Sequence, residues 1–169
     1  MDIQLIAAEC IQYFEENLSK IRACLALMDE TEIWTKPSGN SNAVGNQLLH
    51  LVGNIRQYVL SGLAGRPDLR DRSFEFNAGG GMSKTQLLDA LTETVAEAVA
   101  EMKSLNPDEL YCKRAVQGRN DWSVTGIMIH VTQHFSYHTG QIVFWTKMLR
   151  DVDMAFYTEP TLNDRVKTD

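Results

Sequence analysis

Hydrophobic residues recur at spacings of three and four along four long stretches of the chain, which are separated by polar and turn-forming segments. In the first stretch, Ile3, Ala7, Cys10, Phe14 and Leu18 follow this spacing. It places apolar side chains on one face of an α-helix, and no stretch shows the alternation typical of a strand. The pattern predicts four helices, over residues from about 3–28, 43–63, 83–104 and 123–149.

Local signals mark where these helices begin and end. Ser41 or Asn42 is a suitable N-cap for the second helix, and the run from Ser83 to Gln86 matches a capping box at the start of the third. Pro107 ends the third helix, because the residue before a proline avoids the helical conformation. Two connections remain: a long loop over residues 64–81, and a segment over residues 108–122 with an extended piece at 110–116.

Four helices of this length are most simply packed as an antiparallel, up-down-up-down four-helix bundle, so the fold class is all-α. At 169 residues, the chain suits one compact domain with a single core. We assign residues 1–150 to the bundle domain. Residues 151–169 are charged and contain Pro160, and they are predicted to form a C-terminal tail.

Charge and composition exclude several classes of function. The 16 basic and 22 acidic residues give a net charge of −6 without any basic stripe, which argues against a nucleic-acid partner. The three cysteines show no CxxC spacing and are expected to be free thiols in a reducing compartment. No segment is apolar enough to span a membrane, and the N-terminus lacks a signal-peptide pattern. We therefore expect a cytoplasmic protein without a membrane partner.

The histidines are the candidate functional residues. His130, His134 and His138 are four residues apart in the fourth predicted helix, on one face and about one turn from each other. Two of them, with His50 from the second helix, would supply three nitrogen ligands to a metal ion and leave positions for water or substrate. The alternative is a set of exposed or packed histidines. The location of all four in bundle helices, where facing helices build metal sites, favours the metal site.

A single ion cannot use all three histidines of the fourth helix. His130 and His138 lie about 12 Å apart along the axis, so the ion needs an adjacent pair. We prefer His134 and His138, because Gly140 leaves space beside them and Gln141 offers a hydrogen-bond donor. His130 lies near the helix start, where packing or an interhelical hydrogen bond accounts for it.

The sequence assigns no catalytic acid or base. No Glu follows a candidate ligand as in the His-Glu-x-x-His motif of metalloproteases, and the Glu-x-x-His pairs of di-iron bundles are also missing. A metal ion can lower the pKa of a bound water, or bind a thiolate and deliver it to an electrophile. Both reactions stay open at this point. Asn46 and Asn54, each one turn from His50, are candidates to support the site.

The second and fourth helices resemble the DinB/YfiT superfamily of metal-binding four-helix bundles. The resemblance is carried by the run from Leu48 to Gln57, and by Asp121-Trp-Ser-Val with the run from His130 to Ile142, whose ending His-x-Gly-Gln-Ile is the most specific part. It implies that His50, His134 and His138 bind one divalent transition metal, zinc or nickel. It also implies a homodimer, and thiol-dependent S-transferase or isomerase activity in members of known function.

Two functions follow as hypotheses. The first is a metal-dependent enzyme, of S-transferase or hydrolase type, in which the three-histidine site activates water or a low-molecular-weight thiol. The second is a non-catalytic, dimeric metal-binding or stress-response interaction module. Exchangeable water at the metal favours the first, and a fourth protein ligand favours the second.

Overall fold

The computed structural model describes residues 2–158, and its framework is a bundle of four long helices. Every predicted helix boundary lies within one residue of the observed one, because each helix carries a long apolar stripe that specifies it. The second helix continues without interruption into a π-helical segment. The four are α1 (Ile3–Leu27), α3 (Val44–Ile55, continued by Arg56–Leu63), α5 (Lys84–Ser104) and α6 (Val124–Arg150).

The predicted all-α bundle is confirmed, but its first and last long helices run in the same direction. Asn17 of α1 donates to the hydroxyl of Ser136 in α6 (2.9 Å). Further along both helices, Arg150 donates to the carbonyl oxygen of Leu27 (2.7 Å). Residue numbers therefore rise together along the α1–α6 contact, which is parallel.

The two middle helices are also parallel to each other. Arg56 donates to the hydroxyl of Thr94 (3.2 Å), and Arg66, just beyond the end of the second helix, pairs with Glu101 further along α5 (2.6 Å). The order is therefore up-down-down-up, which corrects the predicted directions of the third and fourth long helices. Short connections force consecutive helices to be antiparallel, whereas the segment of about 20 residues between α3 and α5 is long enough to return along the bundle.

This long connection is not the plain loop that was predicted. It contains a short helix, α4 (Arg72–Asn77), whose N-cap Asp71 accepts a hydrogen bond from the backbone N–H of Phe74 (2.9 Å). Asn46 of α3 fixes α4 to the bundle, because its side-chain amide donates to the carbonyl oxygens of Glu75 (3.0 Å) and Ala78 (2.7 Å). The segment that crosses the bundle is thus packed against α3.

The remaining connections are also partly ordered. A second short helix, α2 (Glu30–Trp34), precedes α3, whose N-cap is Ala43 rather than Ser41 or Asn42. The capping box predicted at Ser83 and Gln86 is confirmed (Gln86 backbone N–H to Ser83 Oγ, 3.2 Å). The extended piece predicted at 110–116 is a two-stranded antiparallel hairpin. Its strands are β1 (Lys113–Val116) and β2 (Arg119–Ser123), joined by Gln117 and Gly118, which both have positive φ.

Within residues 2–158, no helix is long and apolar enough to cross a membrane. The three cysteines are free, and Cys10 and Cys24 are buried in the core. The predicted tail, residues 151–169, follows the end of α6. Residues 159–169 lie outside the described part of the chain, so the domain boundary at residue 150 stays a prediction.

Candidate metal centre

Three histidines converge where α3 crosses α6. These two helices are antiparallel, so His50 of α3 faces His134 and His138, which lie one turn apart on α6. One ring nitrogen of each histidine lies within 4.8 Å of the corresponding atoms of the other two. The closest pair is Nε2 of His50 and Nε2 of His134, at 2.9 Å. The structure therefore brings together the three side chains that the sequence selects.

The polar line of α3 that includes His50 is buried. Asn46, His50 and Asn54 are 0%, 5% and 4% exposed, so the line faces the bundle interior rather than forming a hydrated helix edge. The ring of His50 is fixed by Glu75 of α4, whose Oε2 lies 2.8 Å from Nδ1. Because an ionised carboxylate only accepts hydrogen bonds, Nδ1 of His50 donates, and the lone pair of Nε2 faces the other histidines.

The carboxylate of Glu75 is also held by Arg70. Arg70 donates from Nε to one carboxylate oxygen (2.7 Å) and from Nη2 to the other (2.8 Å). Gly53 of α3 makes room, since a Cβ there would lie 1.9 Å from Oε1 of Glu75. Burial raises the pKa of Glu75, but the hydrogen bonds from Arg70 and His50 outweigh it and hold the pKa below its ordinary value. Glu75 is therefore a carboxylate that orients the ring of His50, as carboxylates do for metal-binding histidines.

The two histidines that α6 contributes to the cluster, His134 and His138, are neutral at physiological pH. Burial, followed by the neighbouring His138, His50 and His130, lowers the pKa of His134 to about 3. Burial and His50 lower the pKa of His138 to about 4, against a hydrogen bond with Gln141 that raises it. The side-chain oxygen of Gln47 also lies 3.4 Å from Nδ1 of His138. Neutral imidazoles are the form that binds metal ions.

His130 lies beside this cluster rather than within it. Its ring stacks on that of His134, with centroids 5.7 Å apart and an interplanar angle of 16°. On its other sides it packs against Tyr58 (4.5 Å) and Trp122 (5.2 Å). This is the packing role expected from its distance along the helix. The hydroxyl of Tyr58 points away to donate to Gln117 in the hairpin turn (2.7 Å).

Of the supporting residues predicted from sequence, Gln141 contacts His138, whereas Asn46 acts indirectly by fixing α4. Asn54 lies one turn from His50 on the same helix, and its buried Oδ1 has no hydrogen-bond partner among residues 2–158. A buried acceptor without a donor is costly, so this atom is suited to a polar group that a ligand would bring. Sequence reasoning missed Glu75 and Arg70. The one local signal near them is Asp71, a suitable N-cap, which predicts a short helix but does not indicate that Glu75 contacts His50.

The donor set fits a first-row divalent transition metal. Zinc binds imidazole nitrogen at about 2.0–2.1 Å, so the nitrogens around one ion lie about 3–4 Å apart, and small ring rotations bring the three histidines to that spacing. Three imidazoles without a carboxylate favour zinc, nickel, copper or iron over magnesium or calcium. Within the described residues, His50, His134 and His138 form a cluster without a fourth histidine, cysteine or carboxylate ligand.

Fold and site together define an α-helical bundle with a candidate metal centre between its second and last long helices. Residues 5–161 match the family described as "Protein of unknown function (DUF1572)". Since this match covers most of the chain, the protein belongs to that family, which is part of the wider DinB/YfiT-like group. A search of curated proteins finds no significant match.

Proposed function

We propose that the protein is a metal-dependent enzyme in which His50, His134 and His138 hold one divalent ion, zinc or nickel. Its open positions would take a low-molecular-weight thiol or water, and S-transfer is the reaction that the site supports best. The observation that carries this proposal is the buried set of three ring nitrogens, one of them oriented by a carboxylate. An ion bound there would lower the pKa of a coordinated thiol or water and so provide a nucleophile at neutral pH.

The charge balance of the site favours an anionic ligand. His134 and His138 are neutral, and Arg70 pairs with the carboxylate of Glu75. The protein therefore leaves the two positive charges of a divalent ion uncompensated in a buried site. Because an unpaired charge is costly there, a thiolate or another anion is favoured at the open positions.

The residues around the site favour a thiol over a water nucleophile. Both oxygens of Glu75 are engaged, by His50 and Arg70, so this carboxylate is not free to accept a proton from an attacking water. A thiol needs no such base, since its pKa is far closer to neutrality than that of water. In the proposed reaction the sulfur forms a bond to an electrophilic carbon. The leaving group departs with the bonding electron pair, and the thiol proton goes to solvent.

Metal binding is tested first, by elemental analysis of the purified protein and zinc titration against a chromophoric chelator. We expect one ion per chain, and loss of that ion when His50, His134 and His138 are replaced by alanine together. A histidine outside the cluster gives the matched control: His130→Phe removes one histidine and keeps an aromatic ring. Equal metal contents in the wild-type protein and the triple variant would refute the proposed site.

Activity is tested by following conjugation of an alkylating electrophile with bacillithiol, mycothiol or glutathione, in metal-loaded and metal-free protein. Metal-dependent product with one of these thiols is the expected result. Metal-dependent hydrolysis of an ester without thiol would assign the hydrolase instead. A bound ion with neither reaction would assign the non-catalytic module. We also propose a homodimer, which light scattering of the eluting protein checks directly.

A further inference from the structure

Two arginines lie at the edge of the histidine cluster, and each is placed there by an aromatic ring. The first is Arg72 at the start of α4. Its guanidinium lies 5.2 Å from the ring centroid of Phe76, and the Phe76 ring is 4.9 Å from that of His50. Arg72 and a proposed metal ligand therefore contact the same ring.

The second arginine comes from the hairpin. The guanidinium of Arg119 in β2 lies 4.7 Å from the ring of Trp122. Trp122 packs on His130 (5.2 Å), which in turn stacks on His134 (5.7 Å). Arg119 therefore stands on the α6 side of the cluster, and Arg72 on the α3 side. A cation held over a ring face keeps its N–H groups for other partners, because the interaction uses the π-face and not a hydrogen-bond acceptor.

The acidic groups near these arginines leave donors unused. Within the described residues, no ion pair engages Arg72. Arg119 uses Nε and Nη2 for Asp121 at 3.2 and 3.3 Å, a pair whose side chains are 60% and 69% exposed, and its Nη1 has no partner there. Exposed pairs of this kind contribute little and exchange readily with another anion. Arg72 and Nη1 of Arg119 therefore keep donors free for an anionic ligand.

The pKa of Tyr58 also reflects the charges of these arginines. Burial raises the pKa of its hydroxyl, and the charges of Arg70, Arg119 and Arg72 all act to lower it. Three arginines from different parts of the chain therefore lie around one side chain that packs on His130. Arg70 is neutralised by the buried Glu75, whereas Arg119 has only the exposed Asp121 as a partner and Arg72 has no ion pair among the described residues.

We propose that Arg72 and Arg119 bind an oxyanion group of the substrate. The site would then select small molecules that carry two groups: one atom that binds at the three histidines, and an oxyanion that binds the arginines. This inference rests on the proposed function and specifies its substrate class. Guanidinium groups suit carboxylate and tetrahedral oxyanions alike, since their donors form a planar fork that matches paired oxygens.

The test uses cobalt(II)-loaded protein, in which coordination of a thiolate gives a charge-transfer absorption that can be titrated. Three thiols serve as probes: 3-mercaptopropionate, 2-mercaptoethanesulfonate and the uncharged 2-mercaptoethanol. We expect the anionic thiols to bind more tightly in the wild-type protein. In the Arg72→Gln, Arg119→Gln double variant, the affinity ratio of anionic to uncharged thiol should fall about tenfold. Use of the ratio cancels any change in the metal site itself.

The controls separate specific binding from overall charge. Arg22→Gln removes the same charge from the exposed surface of α1 and should leave the ratio unchanged. The double variant Arg72→Lys, Arg119→Lys keeps both charges. Its affinity ratio of anionic to uncharged thiol should lie between those of the wild-type protein and the glutamine variant. Stronger binding of the propionate assigns a planar carboxylate, and stronger binding of the sulfonate assigns a tetrahedral oxyanion such as a phosphate. A ratio that is equal in the wild-type protein and the glutamine variant overturns the inference.

Failure of the proposed function gives a different result. If none of the three thiols produces a thiolate band, the thiol-dependent reaction is refuted while the two arginines remain testable. Succinate then replaces the thiols, with one carboxylate for the ion and the other for the arginines. A succinate-dependent change in the cobalt spectrum that disappears in the glutamine variant supports the arginine site. No change in either protein overturns it.

Discussion

Replacing Glu75 by glutamine changes two contacts that have different consequences. The variant keeps the volume and one carbonyl oxygen of the side chain but loses the charge and one acceptor. Its amide group must then face either Arg70 or Nδ1 of His50, both of which donate in the native protein. If the amide N–H faces His50, Nδ1 must accept that hydrogen bond. The ring proton of His50 then lies on Nε2, the atom proposed to bind the ion.

The expected magnitudes follow from burial. The side chains of Arg70 and Glu75 are 3% and 5% exposed, so the variant leaves a buried guanidinium without a counterion. Breaking a buried ion pair in this way lowers the free energy of unfolding by about 3–5 kcal/mol. Because glutamine keeps one acceptor for Arg70, the loss should lie near the lower end of this range. Loss of the group that orients a ligand histidine lowers metal affinity about 10- to 100-fold. Stability and zinc affinity should therefore both fall.

A second variant separates the two effects. Arg70→Met combined with Glu75→Gln removes both buried charges, so the free energy of unfolding should recover in part while zinc affinity stays low. Urea unfolding of the metal-free protein measures the first quantity, and competition with a chromophoric chelator measures the second. Glu97→Gln breaks an exposed ion pair with Arg66 and should change neither. Wild-type zinc affinity in Glu75→Gln would show that Glu75 only neutralises Arg70, and would refute its role at the metal centre.

Three further outcomes are expected. Gly53→Ala should displace the buried glutamate and lower zinc affinity, because the added Cβ would clash with its carboxylate. Gly140→Ala has nothing within 4 Å of the added Cβ, so it should keep the zinc affinity and add about 0.5–1 kcal/mol to the free energy of unfolding. Equal zinc affinities in the two variants would contradict the proposed clash at Gly53. His130→Phe should retain one ion per chain by elemental analysis, and loss of the ion would make His130 a ligand. In the metal-free protein, the pKa values of about 3 for His134 and about 4 for His138 lie below the value of about 6.5 in the unfolded chain, so the unfolded chain binds more protons between about pH 4 and 6.5. The free energy of unfolding should therefore fall as pH is lowered through this window, by up to about 1.4 kcal/mol per pH unit for each histidine, and a flat urea-unfolding profile would contradict it.

The sequence predicts the long helices and the histidine cluster well, because both depend on regular spacing. A stripe of apolar residues over 20 or more positions specifies a helix almost regardless of its surroundings. The same period places His134 and His138 on one face of α6. His50 lies instead on the polar line of α3 with Asn46 and Asn54, and only the structure shows that this line is buried. The helix start at Ser83 follows from a purely local pair of hydrogen bonds with Gln86.

The parts that the sequence does not predict depend on contacts distant along the chain. The six residues of α4 are too few to show a period, and this helix is held by Asn46, 29 residues before its partner Glu75. Nothing near Glu75 distinguishes it from the other acidic residues, since its role arises only when Arg70 and His50 meet it. The direction of α5 likewise follows from the path of a long connection, which spacing within the helices cannot reveal.

The segment that crosses the bundle between α3 and α5 determines the topology and also supplies Arg70 and Glu75, which lie against His50 of the candidate metal centre. Its docking and the binding of an ion are therefore two linked equilibria that meet at the ring of His50. Linkage requires each to strengthen the other by the same factor. An ion bound at the three histidines would thus stabilise the docking of the crossing segment on α3. Conversely, any partner that lifts this segment from α3 would promote metal release without touching the metal.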